Sequence, residues 1–202
     1  MRKFIFYFLV AIIFISCGQS NTDNIFSQSK HDNSDTLIKF RRFIKKFKPL
    51  QLPLTASTSC YNPDTTYCFN LDMDNDSLFV GNIMGMSIGI FPDTTLFYAL
   101  VYCGAAECYM PMLAVYSKDG KRISNESIAN GCGCGLGYIC SDSLVIKSMT
   151  DITQFFNEEV VEIDSTGKEI ESTRKKTIDI NKFDIDNTGK INKRTTHKTF
   201  KK

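Results

Sequence analysis

Two unbroken apolar runs constrain this chain more than anything else in it. Residues 96–102 read LFYALVY and residues 112–116 read MLAVY, apolar or aromatic at every position. An amphipathic strand alternates apolar with polar residues, so a run without alternation has to be covered on both faces. The content of Tyr, Phe, Leu and Val and the short lengths favour strand over buried helix. Such strands lie at the centre of a fold, with a layer on either side.

The second run ends in Ser117-Lys118-Asp119-Gly120-Lys121, and its scheme recurs in Asp164-Ser165-Thr166-Gly167-Lys168 and Asp186-Asn187-Thr188-Gly189-Lys190. A short polar side chain, two free positions and then Gly is the signature of a type I turn followed by a left-handed residue. That combination closes a β-hairpin. Three copies predict a mainly β fold, an antiparallel hairpin meander or sandwich, with propeller-like blades as the alternative. Farther on, Leu144–Ile146 reads as a short strand, and Val160, Val161, Ile163 and Ile170 flank the second turn as a half-exposed hairpin. Ile178 and Ile180 share one parity while Phe183 and Ile185 have the other, which predicts a bulge or a new strand near Asn181-Lys182.

Residues 35–48, DTLIKFRRFIKKFK, place Leu37, Phe40, Ile44 and Phe47 at helical spacing, with six cations on the remaining positions. Asp35 or Thr36 is placed to cap this amphipathic helix and Pro49 to stop it. Its apolar face either lies on anionic lipid or docks on the sheet. The second is expected, because residues 49–117 contain no Lys or Arg but do contain Asp64, Asp72, Asp74, Asp76, Asp93 and Glu107, an acidic partner region. The spacing of Asp72, Asp74 and Asp76, and of Asp184 and Asp186, imitates a calcium loop, yet the twelfth positions are Ile83 and Thr195 where a bidentate Glu is required.

The chain starts with Arg2 and Lys3, twelve apolar residues from Phe4 to Ile15, then Ser16-Cys17-Gly18. A positive end followed by a short apolar run and small residues is a secretory signal, too short for an ordinary membrane span. Ile15-Ser16-Cys17-Gly18 resembles the lipobox of bacterial lipoprotein precursors, although Phe14 stands where that motif usually has Leu. The resemblance is confined to about the first 18 residues. It implies cleavage after Ser16, acylation of Cys17 and anchorage to a bacterial membrane, the outer membrane being expected, with the domain outside the cytosol. The implied organisation is a signal peptide at 1–16, a lipidated polar tether at 17–35, one β-rich domain at 36–191 and a basic tail at 192–202. The tail is expected as a frayed edge strand or an unstructured segment.

Removal of Arg2 and Lys3 with the signal would leave 22 basic against 22 acidic residues, a balance that gives no case for nucleic acid. Outside the cytosol disulfides persist, so Cys60, Cys68, Cys103, Cys108, Cys132, Cys134 and Cys140 are candidates. The local pairings are 60 with 68, 103 with 108, and 132 or 134 with 140. Met84 and Met86, Met110 and Met112, and Cys132 and Cys134 also form two-apart pairs of soft ligands, the chemistry that selects Cu(I). The histidines are His31 in the tether and His197 near the end, so a Ser–His or Cys–His pair lacks a base within the core. The expected role is therefore non-catalytic binding or structural support in the cell envelope, with an envelope protein as partner and no cofactor. A copper binder and, through the acidic middle, a carbohydrate-active hydrolase are the alternatives.

Overall fold

A computed structural model describes residues 34–59, 69–71, 73–81, 85–104, 110–133 and 135–201. The compact body spans Leu37–Lys202. Helix α1 covers residues 34–44. In chain order come β1 (Leu54–Ser59), β2 (Phe69–Asn70), α2 (Met73–Val80), β3 (Gly85–Ile90), β4 (Tyr98–Gly104), β5 (Met110–Tyr116) and β6 (Arg122–Ser127). They are followed by β7 (Tyr138–Ser148), β8 (Asp151–Val160), β9 (Lys175–Ile185) and β10 (Ile191–Lys201).

The strands make two five-stranded antiparallel sheets, in the orders β2-β3-β4-β5-β6 and β1-β7-β8-β9-β10. The first is a pure meander. The second is a four-strand meander with β1 added at its edge. The two pack face to face, so the mainly β class and both the meander and the sandwich descriptions hold, and neither sheet closes into a barrel. The bladed alternative is not adopted.

The unbroken apolar runs explain the layering. Alternate residues of β4 and β5 (Ala99, Val101, Cys103, Leu113, Val115) meet Leu144, Ile146, Ile152, Phe183 and Ile185 of the second sheet. Their neighbours Leu100, Tyr102, Ala114 and Tyr116 face the other way and meet Phe40, Phe43, Phe47, Phe79 and Val80 of the helical layer. Ala99, Leu100, Val101, Leu113, Ala114 and Val115 are all 0% exposed, so both faces are covered without remainder. Helices, first sheet and second sheet form three layers, with β4 and β5 in the middle one.

The phenylalanine face of α1 thus docks on protein. Phe43 stacks on Phe79 at 4.8 Å between ring centroids, and Phe40 meets the edge of Tyr98 at 5.8 Å. Tyr116 donates its hydroxyl to the Phe79 carbonyl at 2.7 Å, and burial pushes the phenol's pKa up. Burying each ring contributes roughly 1.5–3 kcal/mol. Lys46 reaches the buried Asp76 carboxylate at 2.6 Å, one specific contact between the cationic helix segment and the acidic region.

All three signature turns adopt the expected geometry. The Gly120, Gly167 and Gly189 amides donate to the Ser117, Asp164 and Asp186 carbonyls at 3.0, 3.0 and 2.9 Å. Their glycines sit at φ of 89°, 85° and 84°. In the last two turns the Asp side chain accepts from the hydroxyl of Thr166 or Thr188 and from the backbone N–H groups of the third and fifth residues, which together hold its carboxyl below the usual range.

Several expectations are corrected. Helix α1 stops at residue 44, before Pro49, in a tightened turn where Lys46 N–H donates to Phe43 C=O and Phe47 N–H to Ile44 C=O, both at 3.1 Å. It is already helical at Ser34, so Asp35 and Thr36 are not outside it. Residues 73–76 belong to α2, in keeping with the rejection of a calcium loop there. Strand β7 has eleven residues, far more than Leu144–Ile146. The hairpin around Asp164–Lys168 shrinks to the single bridge Ile163–Glu169. Strand β9 is continuous with no slip at Asn181. Of the two alternatives for the tail, the edge strand is the one found: β10 lies at the sheet edge and pairs with β9 from Ile191 opposite Ile185 to Lys201 opposite Lys175.

Gly120 and Gly167 share a backbone conformation but differ in surroundings. A Cβ on Gly120 would lie 2.7 Å from Phe40 Cγ, whereas one on Gly167 meets open space. Gly167→Ala is expected to cost about 1 kcal/mol for the left-handed residue alone. Gly120→Ala should cost about 1–3 kcal/mol more, because the ring beneath must move. Urea unfolding of the two variants checks this, and equal losses would mean that the turn does not rest on Phe40.

Candidate functional site

The apolar core uses only one end of the second sheet, nearest the β7–β8 and β9–β10 turns. The pairing register lets the inner face be followed rung by rung. Ile146, Ile152 and Phe183 form an apolar rung within the core. The next rung, Leu144–Gln154–Asn181–Thr195, is mostly polar, and the one after it is Asp142–Phe156–Asp179–His197. Farther out come Cys140, Glu158, Thr177 and Thr199.

These polar groups are joined in a chain. Thr195 Oγ1 donates to Asn181 Oδ1 at 2.6 Å, Asn181 Nδ2 to Gln154 Oε1 at 2.8 Å, and Gln154 Nε2 to both Asp142 oxygens at 3.0 and 2.9 Å. The Asn130 backbone N–H donates to Asp142 Oδ2 at 2.6 Å. Gln154 is 0% exposed, Asp142 2% and Asn181 4%. Burial raises the Asp142 pKa, outweighing the opposite effect of the Gln154 and Asn130 donors. Asp142 thereby holds the start of the loop that is also closed by the Cys132–Cys140 disulfide, whose Cα atoms are 5.7 Å apart.

Beyond this chain the inner face opens to solvent on its β10 side, while Cys140 and Thr177 stay buried. His197 Nδ1 meets Asp179 Oδ1 and His197 Nε2 meets Thr199 Oγ1 at 2.9 Å, the order of an acid, a base and a hydroxyl. The histidine side chain is 57% exposed on a flat strand face, where water competes for every group. The geometry fixes edge strand β10 against β9 more directly than it serves nucleophilic attack. At the end of β8, Arg174 ties Glu159, Glu169 and Glu171 together, the Glu169 contact at 2.6 Å.

The outer face of this free half carries the opposite pattern. Phe155 pairs with Ile180, Ile178 lies one rung farther out, and Ile139 and Phe200 end the next rung beside Glu159 and Lys176. Ile139 and Phe200 are each 51% exposed and Phe155 37%. This explains the parity change in β9. Phe183 and Ile185 point inward where the first sheet covers them, and Ile178 and Ile180 point outward where the inner face has turned polar. A hollow of about 170 Å³ lies at the same end, lined by Ile139, Cys140, Asn157, Glu158 and Lys176 among others. That is below the roughly 300–1,000 Å³ of small-molecule pockets. The face suits a broad partner better than a small ligand.

Of the residues singled out from sequence, Cys17, Cys60, Cys68, Cys108, Cys134 and Met84 lie outside the described residues. Cys132 pairs with Cys140, one of the two local pairings expected there, and this bond takes up one thiol of the Cys-x-Cys pair. Cys103 is buried in β4. Met86 packs into the core between the sheets and Met112 against the helical layer, so the first sheet separates them. In the acidic region Asp76 is engaged by Lys46, and Asp93 accepts from the Thr95 N–H. Sequence reasoning missed Asp142, Gln154, Asn181 and Thr195. Counting outward from the β9–β10 turn would have set Asn181 opposite Thr195, but Gln154 joins them only through the β8–β9 register.

No protein-family model, curated protein or solved structure matches this chain.

The buried carboxylate gives a pH dependence of definite sign. The Asp142 pKa is raised on folding, so its contribution is fully present below the unfolded value near about 4 and is lost as pH climbs through the folded one. Measured by urea unfolding, the stability of wild type relative to Asp142→Asn should therefore fall with rising pH. A constant difference between about pH 3.5 and 7.5 would remove this account. Gln154→Leu, which strands both Asp142 and Asn181, is expected to cost roughly 2–5 kcal/mol.

Proposed function

We propose that this chain is a cell-envelope lipoprotein with a non-catalytic binding role. It is held through acyl chains on Cys17 at a bacterial membrane, the outer membrane by expectation, and meets an envelope protein on the outer face of its second sheet. The observation that carries the binding role is the exposure of Ile139, Phe155 and Phe200 together on one sheet face, beside Ile178 and Ile180. Exposed apolar side chains gathered on one face mark interaction surfaces, and a cohesive sheet can present them without rearranging.

The anchor rests on Arg2-Lys3, the apolar run and Ile15-Ser16-Cys17-Gly18. The Cys132–Cys140 bond supports an oxidising compartment, since such bonds persist chiefly outside the cytosol. Among the described residues no helix is long and apolar enough to cross a membrane. Two acyl chains anchor stably, at roughly 0.8 kcal/mol per buried methylene.

Two measurements check this reading. Wild type should fractionate with membranes and carry the mass of a diacylated or triacylated Cys17, while Cys17→Ser is released. Identical fractionation of the two versions would remove the anchor. A photo-reactive residue at 155 should give one discrete crosslinked adduct in intact cells and one at Lys118 none; the absence of an adduct at 155 would remove the binding face.

A further inference from the structure

The helical layer has an outer face with no role in packing. On a helix each residue turns about 100°, so with Phe40 and Phe43 inward, Arg41 and Arg42 project away from the sheet and Lys39 stands on the shoulder, while Lys45 and Lys46 follow in the closing turn. Phe40, Phe43 and Phe47 are 0%, 1% and 5% exposed, whereas Lys39, Arg41, Arg42 and Lys45 are all exposed. Lys46 is paired with Asp76. Among the described residues, Lys39, Arg41, Arg42 and Lys45 have no carboxylate within ion-pair distance. Asp35 is the one acid in residues 34–48. Elsewhere several exposed cations are paired with acids: Lys121 with Asp119, Lys147 with Asp151, Lys193 with Glu126 and Arg194 with Asp184.

We infer that this cationic face lies against the anionic lipid headgroups of the membrane that holds the anchor. This placement rests on the lipoprotein reading above and adds the orientation of the domain. Sixteen residues lie between Cys17 and Ser34. A chain of that length reaches at most about 60 Å when fully extended, so the helix is kept near the bilayer once the acyl chains are inserted. Confinement turns weak attraction into an intramolecular event at high effective concentration. Four unpaired cations on one short helix and its closing turn then suffice, because each basic side chain near an anionic surface shifts the equilibrium several-fold.

The mode is the inverse of an amphipathic helix in a membrane interface. Such a helix buries its apolar face in lipid, but here that face is already spent on Leu100, Ala114 and Tyr116. Contact is made by the polar face alone, without insertion, so it is governed by screening and vanishes when the Debye length falls to a few ångströms. It also directs the second sheet, two layers away, toward the aqueous side where Phe155 can meet a partner.

The test uses the purified, acylated protein reconstituted in vesicles that are either neutral or about one-third phosphatidylglycerol, with amine-reactive labelling of lysines read by mass spectrometry. Labelling of Lys39 and Lys45 should slow by about tenfold in anionic relative to neutral vesicles and recover near about 0.5 M salt, while Lys176 and Lys198 label equally in both. Equal rates at Lys39 and Lys45 in protein that floats with the vesicles would overturn the inference and leave the anchor intact. Protection at Lys176 and Lys198 instead would overturn it in favour of the opposite face. Protein that fails to float would take the lipoprotein reading down, and this inference with it. Charge reversal by Arg42→Glu and Lys45→Glu, on positions outside the core, should abolish the protection of Lys39 without changing flotation.

Discussion

Covering β4 and β5 from both sides is the requirement that sets the number of layers in this protein. Their side chains are apolar at successive positions, and a strand projects successive side chains to opposite faces. One covering layer would leave half of Leu100, Ala114, Tyr116 and their neighbours in water. The second sheet covers one face. The three phenylalanines of the α1 segment, with Phe79 and Val80 of α2, cover the other. The short helix therefore owes its stability to the aromatic platform beneath it more than to its own propensity, as is usual for helices of this length.

The second sheet solves a different problem. Its strands are up to eleven residues long, whereas those of the first sheet have at most seven, so it outreaches its cover. Where the cover ends, the inner face changes from Ile146, Ile152 and Phe183 to Asp142, Gln154, Asn181 and Thr195, and apolar residues move to the outer face. The polar chain across four strands marks that transition and fixes register. A slip of one residue would turn every side chain to the other face and break each of its hydrogen bonds.

The central strands and the three Gly turns were legible in the sequence because each depends on local chemistry: unbroken apolar runs, and a Gly where φ must be positive. The docking of α1 was legible because Leu37, Phe40 and Ile44 fall on one helical face and an acidic region lies within the same chain. The length of β7 and β8 was not. Asp142, Ser143 and Gln154 look like loop residues until pairing places them on a rung, and pairing is a non-local property. For the same reason the parity change in β9 read as a bulge, when it records which face is covered at each point. His197 was set aside for its place near the end of the chain, yet the strand carries it into contact with Asp179. Of the candidate site, the exposed phenylalanine of β8 carried no signal of its own, since Phe155 and Phe156 are adjacent and only the register says which one faces out.

Gly120 lies directly over Phe40, so the β5–β6 turn sits on the helix like a pawl on a ratchet tooth. The helix and the turn cannot part independently: lifting α1 withdraws the support of the turn and uncovers one side of β4 and β5 in the same motion. A pull applied at Ser34 would enter the body through α1. The mechanical weak link is then the seam between the helical layer and the first sheet, and the interlocked sandwich behind it bears load last.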